Sequence, residues 1–310
     1  MKPLTRGVQE YLSMRRGLGF KLTNYEGYLN SFLRLMKERG QTVITISLAL
    51  EWARSTQSSR RAEWARRLSH LRGFAQYWHA IDPRTEIPPW ELMPYRAPHV
   101  RPYLYSEAEI SQLLAAALRL PPAGTLRCWT YYTLLGLLVC TGMRVSEATG
   151  LETQDVNLHA GLLTIRKTKF GKSRLVPLTE STVKALADYS KRRERFLQGR
   201  KASRFFVSLR GTPVRKCNIH PVFAQLSREV GVRGPSDKYG PRLHDFRHRF
   251  AIQTLVRSYH NNRNVEQVLP VLSTFLGHVG IDSTYWYLSA CPELFGAAVE
   301  RLERRWEARA

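Results

Sequence analysis

Acidic residues are scarce in this chain, and long apolar runs are missing. Its 310 residues include 25 Asp and Glu against 48 Lys and Arg, which gives a formal net charge of +23 at pH 7. The positive excess is present in both residues 1–100 and residues 101–310. It indicates a polyanionic partner, most often nucleic acid, although a generically basic soluble protein is the simpler alternative. We therefore expect both parts of the chain to contact the polyanion.

Cysteines are few, and none belongs to a Cys-x-x-Cys pair. This argues against a structural zinc site and predicts reduced, mostly buried thiols in a cytoplasmic protein. The four cysteines are Cys128, Cys140, Cys217 and Cys291. The most apolar segment, residues 134–140, is far too short to cross a bilayer. No apolar run follows Met1, so we expect neither a signal peptide nor contact with a membrane.

The beginning of the chain has the periodicity of helices. Apolar side chains recur at helical spacing over residues 22–39 and, more clearly, over residues 60–80, where Trp64, Leu71 and Trp78 share one face. Arginines occupy much of the remaining face, with a single acid among them. This pattern fits a helix that follows DNA phosphates, although a solvated face is the simpler interpretation for a lone helix. The candidate DNA contacts are Arg60, Arg61, Arg66 and Arg67 here, together with Lys172 further along the chain.

A proline-rich stretch then separates two predicted domains. Residues 83–102 contain six of the chain's 16 prolines, a density that no helix survives, so an extended linker is expected. A capping box of Ser106 and Glu109 opens the next helix. We predict a helical domain over residues 1–82 and a second domain over residues 103–310.

The second domain is predicted to be mainly α with a small β-hairpin or sheet, an α+β fold. Residues 162–165 and 173–178 have the pattern of two hairpin strands, and residues 205–207 that of a third short strand. After about residue 218 the pattern is again mainly helical.

Groups that suit phosphate chemistry are concentrated late in the chain. His-Asp-Phe-Arg-His at 244–248 follows a Gly- and Pro-rich loop and is expected to open a helix, whose N-terminus favours a bound phosphate. Leu-Gly-His at 276–278 and Tyr287 come next. Arg and His side chains can hold and polarise a phosphate, and a tyrosine hydroxyl can attack it.

Two further candidates lie upstream. In Thr-Gly-Met-Arg-Val-Ser-Glu at 141–147, Glu147 follows Arg144 by three residues, so on a short helix it can orient the guanidinium. Lys169 lies at the tip of the predicted hairpin, where it can reach into a groove and donate a proton, and Lys172 is close by. Taken alone, a surface ion pair and a solvated turn lysine explain these residues better.

A zinc site is the competing interpretation of the late histidines. His244 and His248 have the spacing of a His-x-x-x-His pair. A zinc hydrolase of that type needs Glu as the base and a third ligand, and Arg247 between the histidines would repel the metal. We therefore predict no metal.

Taken together, these motifs resemble the tyrosine recombinase (phage integrase) family over most of residues 103–295. The resemblance implies a helical core-binding (SAM-like) DNA clamp at 1–82 and a catalytic domain at 103–310. It also implies DNA cleavage and rejoining through a 3′-phosphotyrosine, without cofactor or metal. The implied catalytic set is Arg144, Lys169, His244, Arg247, His278 and the nucleophile Tyr287, with Glu147 in support.

Tyr285 competes with Tyr287 for the role of nucleophile. Residues two apart on a helix point about 200° from each other, so only one of them can face the phosphate. The family's spacing after Leu-Gly-His favours Tyr287.

The chain departs from the family pattern at two places. Residues 258–263 look like an extended loop, and Arg249 stands where a small or hydroxyl residue is common. A helix is predicted over residues 292–308. In this family such a helix often docks on a neighbouring protomer, although packing on its own domain is the alternative.

The predicted function is that of a site-specific recombinase or integrase acting on double-stranded DNA, with integration, excision or transposition of a mobile element as its role. Its partners would be a homo-tetramer on synapsed DNA and accessory or partner recombinases. The alternatives are a type IB topoisomerase-like enzyme that relaxes supercoils and a non-catalytic factor that binds the ends of an element.

Overall fold

The chain forms two compact units, residues 1–100 and residues 101–310. The computed structural model describes residues 2–22, 24–56, 61–93, 102–166, 173–237, 240–261 and 264–278, and positions 296, 299, 300, 303 and 306.

The described residues of the first unit form four α-helices: α1 (Lys2–Gly17), α2 (Tyr25–Glu38), α3 (Ile46–Arg54) and α4 (Arg61–His79). Thr45 caps α3 by accepting a hydrogen bond from the backbone N–H of Leu48. The apolar stripes of the helices meet in one core, to which α4 contributes Leu68, Leu71, Phe74 and Trp78.

The first part of the predicted linker is held by this unit. The backbone N–H of Glu86 donates to the carbonyl of Ile44 at 2.9 Å. Arg72 on α4 donates from Nε to the Pro88 carbonyl at 2.6 Å and from Nη2 to the Pro89 carbonyl at 2.7 Å. A short 3-10 turn follows at Trp90–Leu92. Proline has no backbone N–H, so a proline-rich segment cannot pair its carbonyls regularly and needs other donors. Arg72 is the donor to the carbonyls of Pro88 and Pro89.

The second unit is mainly helical. Its helices are α5 (Glu107–Leu118), α6 (Leu126–Thr141), α7 (Val145–Gly150), α8 (Glu180–Leu197), α9 (Lys216–Glu229), α10 (Asp245–His260) and α11 (Val265–Leu276). The predicted capping box opens α5: Ser106 accepts from the backbone N–H of Glu109, and Glu109 accepts from that of Ser106. The apolar helix α6 runs through the middle and packs against α5, α8 and α10.

A small antiparallel sheet completes this unit, in the order β1 (Val156–Asn157), β2 (Leu162–Ile165) and β3 (Arg174–Pro177). Leu163 pairs with Val176 across the hairpin, and both side chains face the core. The mainly helical α+β class predicted from the sequence is confirmed.

Two local predictions were wrong. Residues 205–207 form no strand: Val207 makes an isolated bridge to Pro213, and the adjacent Arg204 makes one to Glu152. Phe205, Phe206 and Val207 are all buried in the core and do not alternate as a sheet strand does. The predicted loop at 258–263 is helical as far as His260, where α10 ends. Leu255 and Leu272 hold α10 and α11 together in a second core.

Of the cysteines that the structure describes, Cys128 is buried, whereas Cys140 and Cys217 are exposed. Only one of these three thiols is buried, so the expectation that the cysteines are mostly buried was wrong for the described ones. Across the described residues, no helix combines the length and apolarity that a membrane crossing requires.

Candidate active site

The turn after α6 brings Arg144 into place. Gly142 ends the helix in the left-handed region at φ +59°, and a Cβ there would lie 2.8 Å from the ring of Phe250. Glycine satisfies both the backbone and the packing requirement. The chain then reverses, and α7 starts directly after Arg144.

Arg144 is held from two sides. Its Nη1 donates to Oε1 of Glu147 at 2.8 Å, the contact expected from their spacing, and its Nη2 donates to the carbonyl of Gly277 at 3.0 Å. The Arg144 side chain is 27% exposed, whereas that of Glu147 is buried. A fixed guanidinium that still reaches solvent is suited to binding an anion.

His244 and Arg247 occupy the first turn of α10, as predicted. His244 is the residue before the helix, and the carboxylate of Asp245 accepts from the backbone N–H of Arg242 at 2.7 Å. Arg247 is only 2% exposed. Its Nη1 donates to the carbonyl of Gly142 at 3.0 Å, and its Nη2 to the carbonyl of Leu276 at 2.7 Å. Arg247 thus joins α10 to the ends of α6 and α11.

The end of α11 receives three arginines. Gly277 ends the helix at φ +69°, and His278 follows directly. The carbonyls of Phe275, Leu276 and Gly277 accept hydrogen bonds from Arg174, Arg247 and Arg144, respectively. The last carbonyls of a helix have no partner within it and carry partial negative charge, so cations are favourable there.

The three histidines at the site are held neutral by their surroundings. Burial, with the charge of Arg247, lowers the pKa of His244. Burial and the neighbouring His244, whose ring centroid lies 4.7 Å away, lower the pKa of His248 to about 4. Burial and the charges of Arg247 and Arg144 lower the pKa of His278 to about 4. Neutral imidazoles can donate one hydrogen bond and accept another at neutral pH.

The sequence analysis did not identify Arg174, which lies on β3. Its side chain is 9% exposed and makes two bonds to Glu147, Nη1 to Oε1 at 3.1 Å and Nη2 to Oε2 at 2.8 Å. A signal was present, because Arg174 is two residues from the core residue Val176 and therefore shares its face of the strand.

The structure brings together four of the six predicted catalytic residues. Arg144 and Arg247 bond to adjacent carbonyls, and the pKa of His278 responds to both arginines and to His244. The other two, Lys169 and Tyr287, lie outside the described residues, as do Tyr285, Lys172, Arg60 and most of the predicted helix at 292–308. Within the described part of the chain, no group of His, Cys, Asp and Glu is arranged to hold a metal ion.

The predicted DNA-contacting arginines of α4 differ in exposure. Arg61 is exposed, and Arg66 bonds to Glu63 and Tyr28 at the surface. Arg67, in contrast, is 8% exposed, with its guanidinium 4.3 Å from the ring centroid of Trp52. It is used for packing within the unit, so we retain only Arg61 and Arg66 of the described arginines as candidates.

Comparison with known proteins identifies relatives of this chain. The model of the phage integrase family matches residues 104–293. A putative integrase/recombinase, y4rB, of Sinorhizobium fredii is 49% identical over 313 residues and is aligned over the whole of both chains.

Solved structures share the fold. The integrase of transposon Tn1549, in complex with transposon right end DNA, has a TM-score of 0.66 at 18% identity, covering 96% of this chain and 98% of that one. A lambda integrase tetramer bound to a Holliday junction has a TM-score of 0.63 at 17% identity, covering 92% of this chain and 76% of that one. The chain belongs to the phage integrase family, the tyrosine recombinases, which cleave and rejoin DNA at specific sites.

Proposed function

We propose that Tyr287 is the nucleophile of this recombinase and that Arg144 and Arg247, at the end of α11, bind the scissile phosphate. The carrying observation is the convergence of Arg144 and Arg247 on adjacent carbonyls beside His278. Two guanidinium groups held this way present fixed positive charge where the non-bridging oxygens of a phosphodiester become more negative during displacement.

In the proposed reaction, the Tyr287 hydroxyl attacks phosphorus and the bond to the 5′-oxygen breaks. Neutral His244 accepts the phenolic proton, and Lys169 donates a proton to the leaving oxygen. His278, neutral at pH 7 because its pKa is about 4, donates a hydrogen bond to the phosphate. The 3′-phosphotyrosyl bond conserves the energy of the phosphodiester, so a 5′-hydroxyl from a second strand can reverse the step and complete an exchange.

We further propose that the exchange serves integration, excision or transposition of a mobile element and takes place in a homo-tetramer on synapsed DNA. The putative integrase/recombinase relative and the fold shared with a transposon integrase support the role. The fold shared with a recombinase that forms a tetramer on a Holliday junction supports the assembly.

The test uses a supercoiled plasmid that carries the DNA flanking the reading frame on both sides. The wild-type chain is expected to become covalently attached to 3′ ends, which denaturing electrophoresis detects and end-mapping locates. Tyr287→Phe should abolish the attachment, whereas the matched control Tyr285→Phe should retain it. Attachment that survives Tyr287→Phe would refute the assignment.

The same plasmids distinguish a recombinase from a topoisomerase. A recombinase should join two plasmids that both carry the flanking DNA, whereas a type IB topoisomerase would relax plasmids with or without it and join none.

A further inference from the structure

Arg174 is the member of the arginine cluster to which the proposed chemistry assigns no role. It lies at the start of β3, outside the helices that supply the other groups. Its side chain is 9% exposed and, unlike Arg144 and Arg247, has two guanidinium nitrogens engaged by a carboxylate. Its Nε, Nη1 and Nη2 all have partners in this unit: the carbonyl of Phe275 and both carboxylate oxygens of Glu147.

Glu147 is shared between two guanidinium groups. Besides the two bonds from Arg174, its carboxylate accepts from Nη1 of Arg144 at 2.8 Å and from the backbone N–H of Arg144 at 2.9 Å. Burial alone would raise the pKa of Glu147, but the hydrogen bonds from Arg174 and Arg144 outweigh it and lower the pKa. The carboxylate is therefore charged at neutral pH, with four N–H donors on its two oxygens.

The charge balance of this group depends on Arg174. Two guanidinium ions and one carboxylate leave a net charge of +1 for the phosphate that Arg144 faces. Without Arg174, Arg144 and Glu147 would form a neutral pair in a largely buried setting, where the carboxylate would compete with the phosphate for Arg144.

Arg174 also fixes the end of α11. Its bond to the Phe275 carbonyl, at 2.8 Å, lies next to the carbonyls that hold Arg247 and Arg144. Gly277 packs directly against it, since a Cβ on Gly277 would lie 2.8 Å from Nη1 of Arg174. The residue therefore touches β3, α7 and the turn that leads to His278.

We propose that Arg174 is a positioning residue for DNA cleavage, which orients Glu147 and preserves the positive charge of Arg144 toward the scissile phosphate. This inference rests on the proposed function. It assigns Arg174 no direct contact with DNA, so its loss should slow the cleavage step and leave DNA affinity unchanged.

The experiment measures single-turnover covalent capture of a duplex nicked beside the cleavage position that the plasmid assay maps. Arg174→Met should lower the capture rate on the order of tenfold to a hundredfold, the scale of a small misplacement of a reacting group. Arg174→Lys keeps the charge but loses the two parallel bonds to the carboxylate, so its rate should fall between those of wild type and Arg174→Met.

The double variant Glu147→Gln with Arg174→Met provides the readout that a purely structural role would not move. Removing the carboxylate restores the net charge of +1 around Arg144, so the double variant should capture DNA faster than Arg174→Met alone. A double variant that is equal or slower would overturn the proposal.

Arg193 offers a matched control. It is an equally buried arginine of the same unit, 3% exposed at the side chain, and its Nη2 donates to the carbonyls of Ala202 and Arg204. Arg193→Met should lower stability without changing the capture rate of the folded fraction. Equal capture rates for Arg174→Met and Arg193→Met, each corrected for the folded fraction, would also refute positioning.

Two further outcomes are decisive. If Arg174→Met does not fold, Arg174→Lys takes its place, and a wild-type rate for that variant overturns the proposal. If the wild-type chain captures no DNA, the proposed function itself fails and the role of Arg174 in cleavage fails with it. Wild-type capture together with wild-type rates for the Arg174 variants rejects only the positioning role.

Discussion

Arginines that are held by the fold serve different ends in the two units. In the first unit, Arg67 and Arg72 each lie 4.3 Å from the ring centroid of a tryptophan, Trp52 and Trp90, respectively. In the second, three arginines bond to consecutive carbonyls at the end of α11. In the first unit each of these guanidinium groups lies on a separate aromatic ring, whereas in the second three guanidinium groups lie together at one helix end.

The comparison shows that the burial of an arginine does not by itself reveal its role. A single guanidinium on an aromatic ring stabilises the fold by a cation–π contact and by its apolar stem. Three guanidinium groups at one helix end repel one another, and such a conflict is expected where function demands it. The grouping of these charges, rather than burial or residue type, supports the proposed phosphate site in the second unit.

The largest effect is expected from removing one of the three arginines at the end of α11. Arg144→Ala should lower covalent capture on the order of 10²–10³-fold, because it removes a donor aimed at developing charge. Stability should change little, since the Arg144 side chain is partly exposed. The control is Arg204→Ala, which removes another partly exposed arginine, paired with Glu152. Capture at the wild-type rate by Arg144→Ala would contradict the assignment.

The next largest effect is expected from removing a buried arginine of the first unit. Arg72→Met leaves the carbonyls of Pro88 and Pro89 without their donor, at a cost of about 2 kcal/mol in the free energy of unfolding. Denaturant titration of the full chain measures this loss, and the capture rate per folded molecule should stay constant. Arg61→Met on the same helix is the control and should leave stability unchanged. A lower rate per folded molecule would mean that Arg72 acts in cleavage.

Lowering the pH should destabilise the folded chain through His248 and His278. The pKa values of His248 and His278 are about 4 in the folded chain, against an ordinary value of 6.5, so the unfolded chain binds more protons between these limits. Stability should therefore fall as the pH is lowered from about 6.5 toward about 4. Thermal melting of wild type and of His248→Gln tests this, with a smaller decline expected for the variant. Constant stability over this interval would contradict the lowered pKa values.

The smallest effect concerns the exposed arginines of α4. Arg61→Gln should reduce by about one the slope of the logarithm of DNA affinity against the logarithm of salt concentration, as expected for one lost phosphate contact. Arg67→Met, which alters a buried side chain, should leave the slope unchanged. The reverse result would place the DNA-binding face of α4 elsewhere.

Local patterns predicted much of this fold. The strand at 162–165 was predicted with the bounds of β2, and the capping box at Ser106 opens α5 because both halves of the signal lie within four residues. The start of α10 directly after His244 followed from the Gly- and Pro-rich loop before it. Each of these signals is carried by near neighbours in the chain.

The contacts that the sequence did not reveal depend on distant partners. Arg67 lies on the arginine-rich side of α4, but Trp52 of α3 covers it, and helical periodicity does not reveal that contact. Arg174 looked like an ordinary strand residue because Glu147 and Phe275, which hold it, come from other elements. Arg249, whose contacts the sequence did not indicate, donates to the Tyr105 carbonyl at 2.5 Å and to Glu107 at 2.6 Å.

The carbonyls of residues 275–277 make the geometry of the proposed site depend on folding. They stand together as acceptors only when the last turn of α11 is wound, and their donors come from three other places in the chain. Local unwinding of that turn would release all three arginines in one step, and exchange of the His278 amide hydrogen, bonded to the Ser273 carbonyl at 3.0 Å, would report it. Such unwinding is expected to remove the proposed phosphate site while leaving the net positive charge of the chain unchanged.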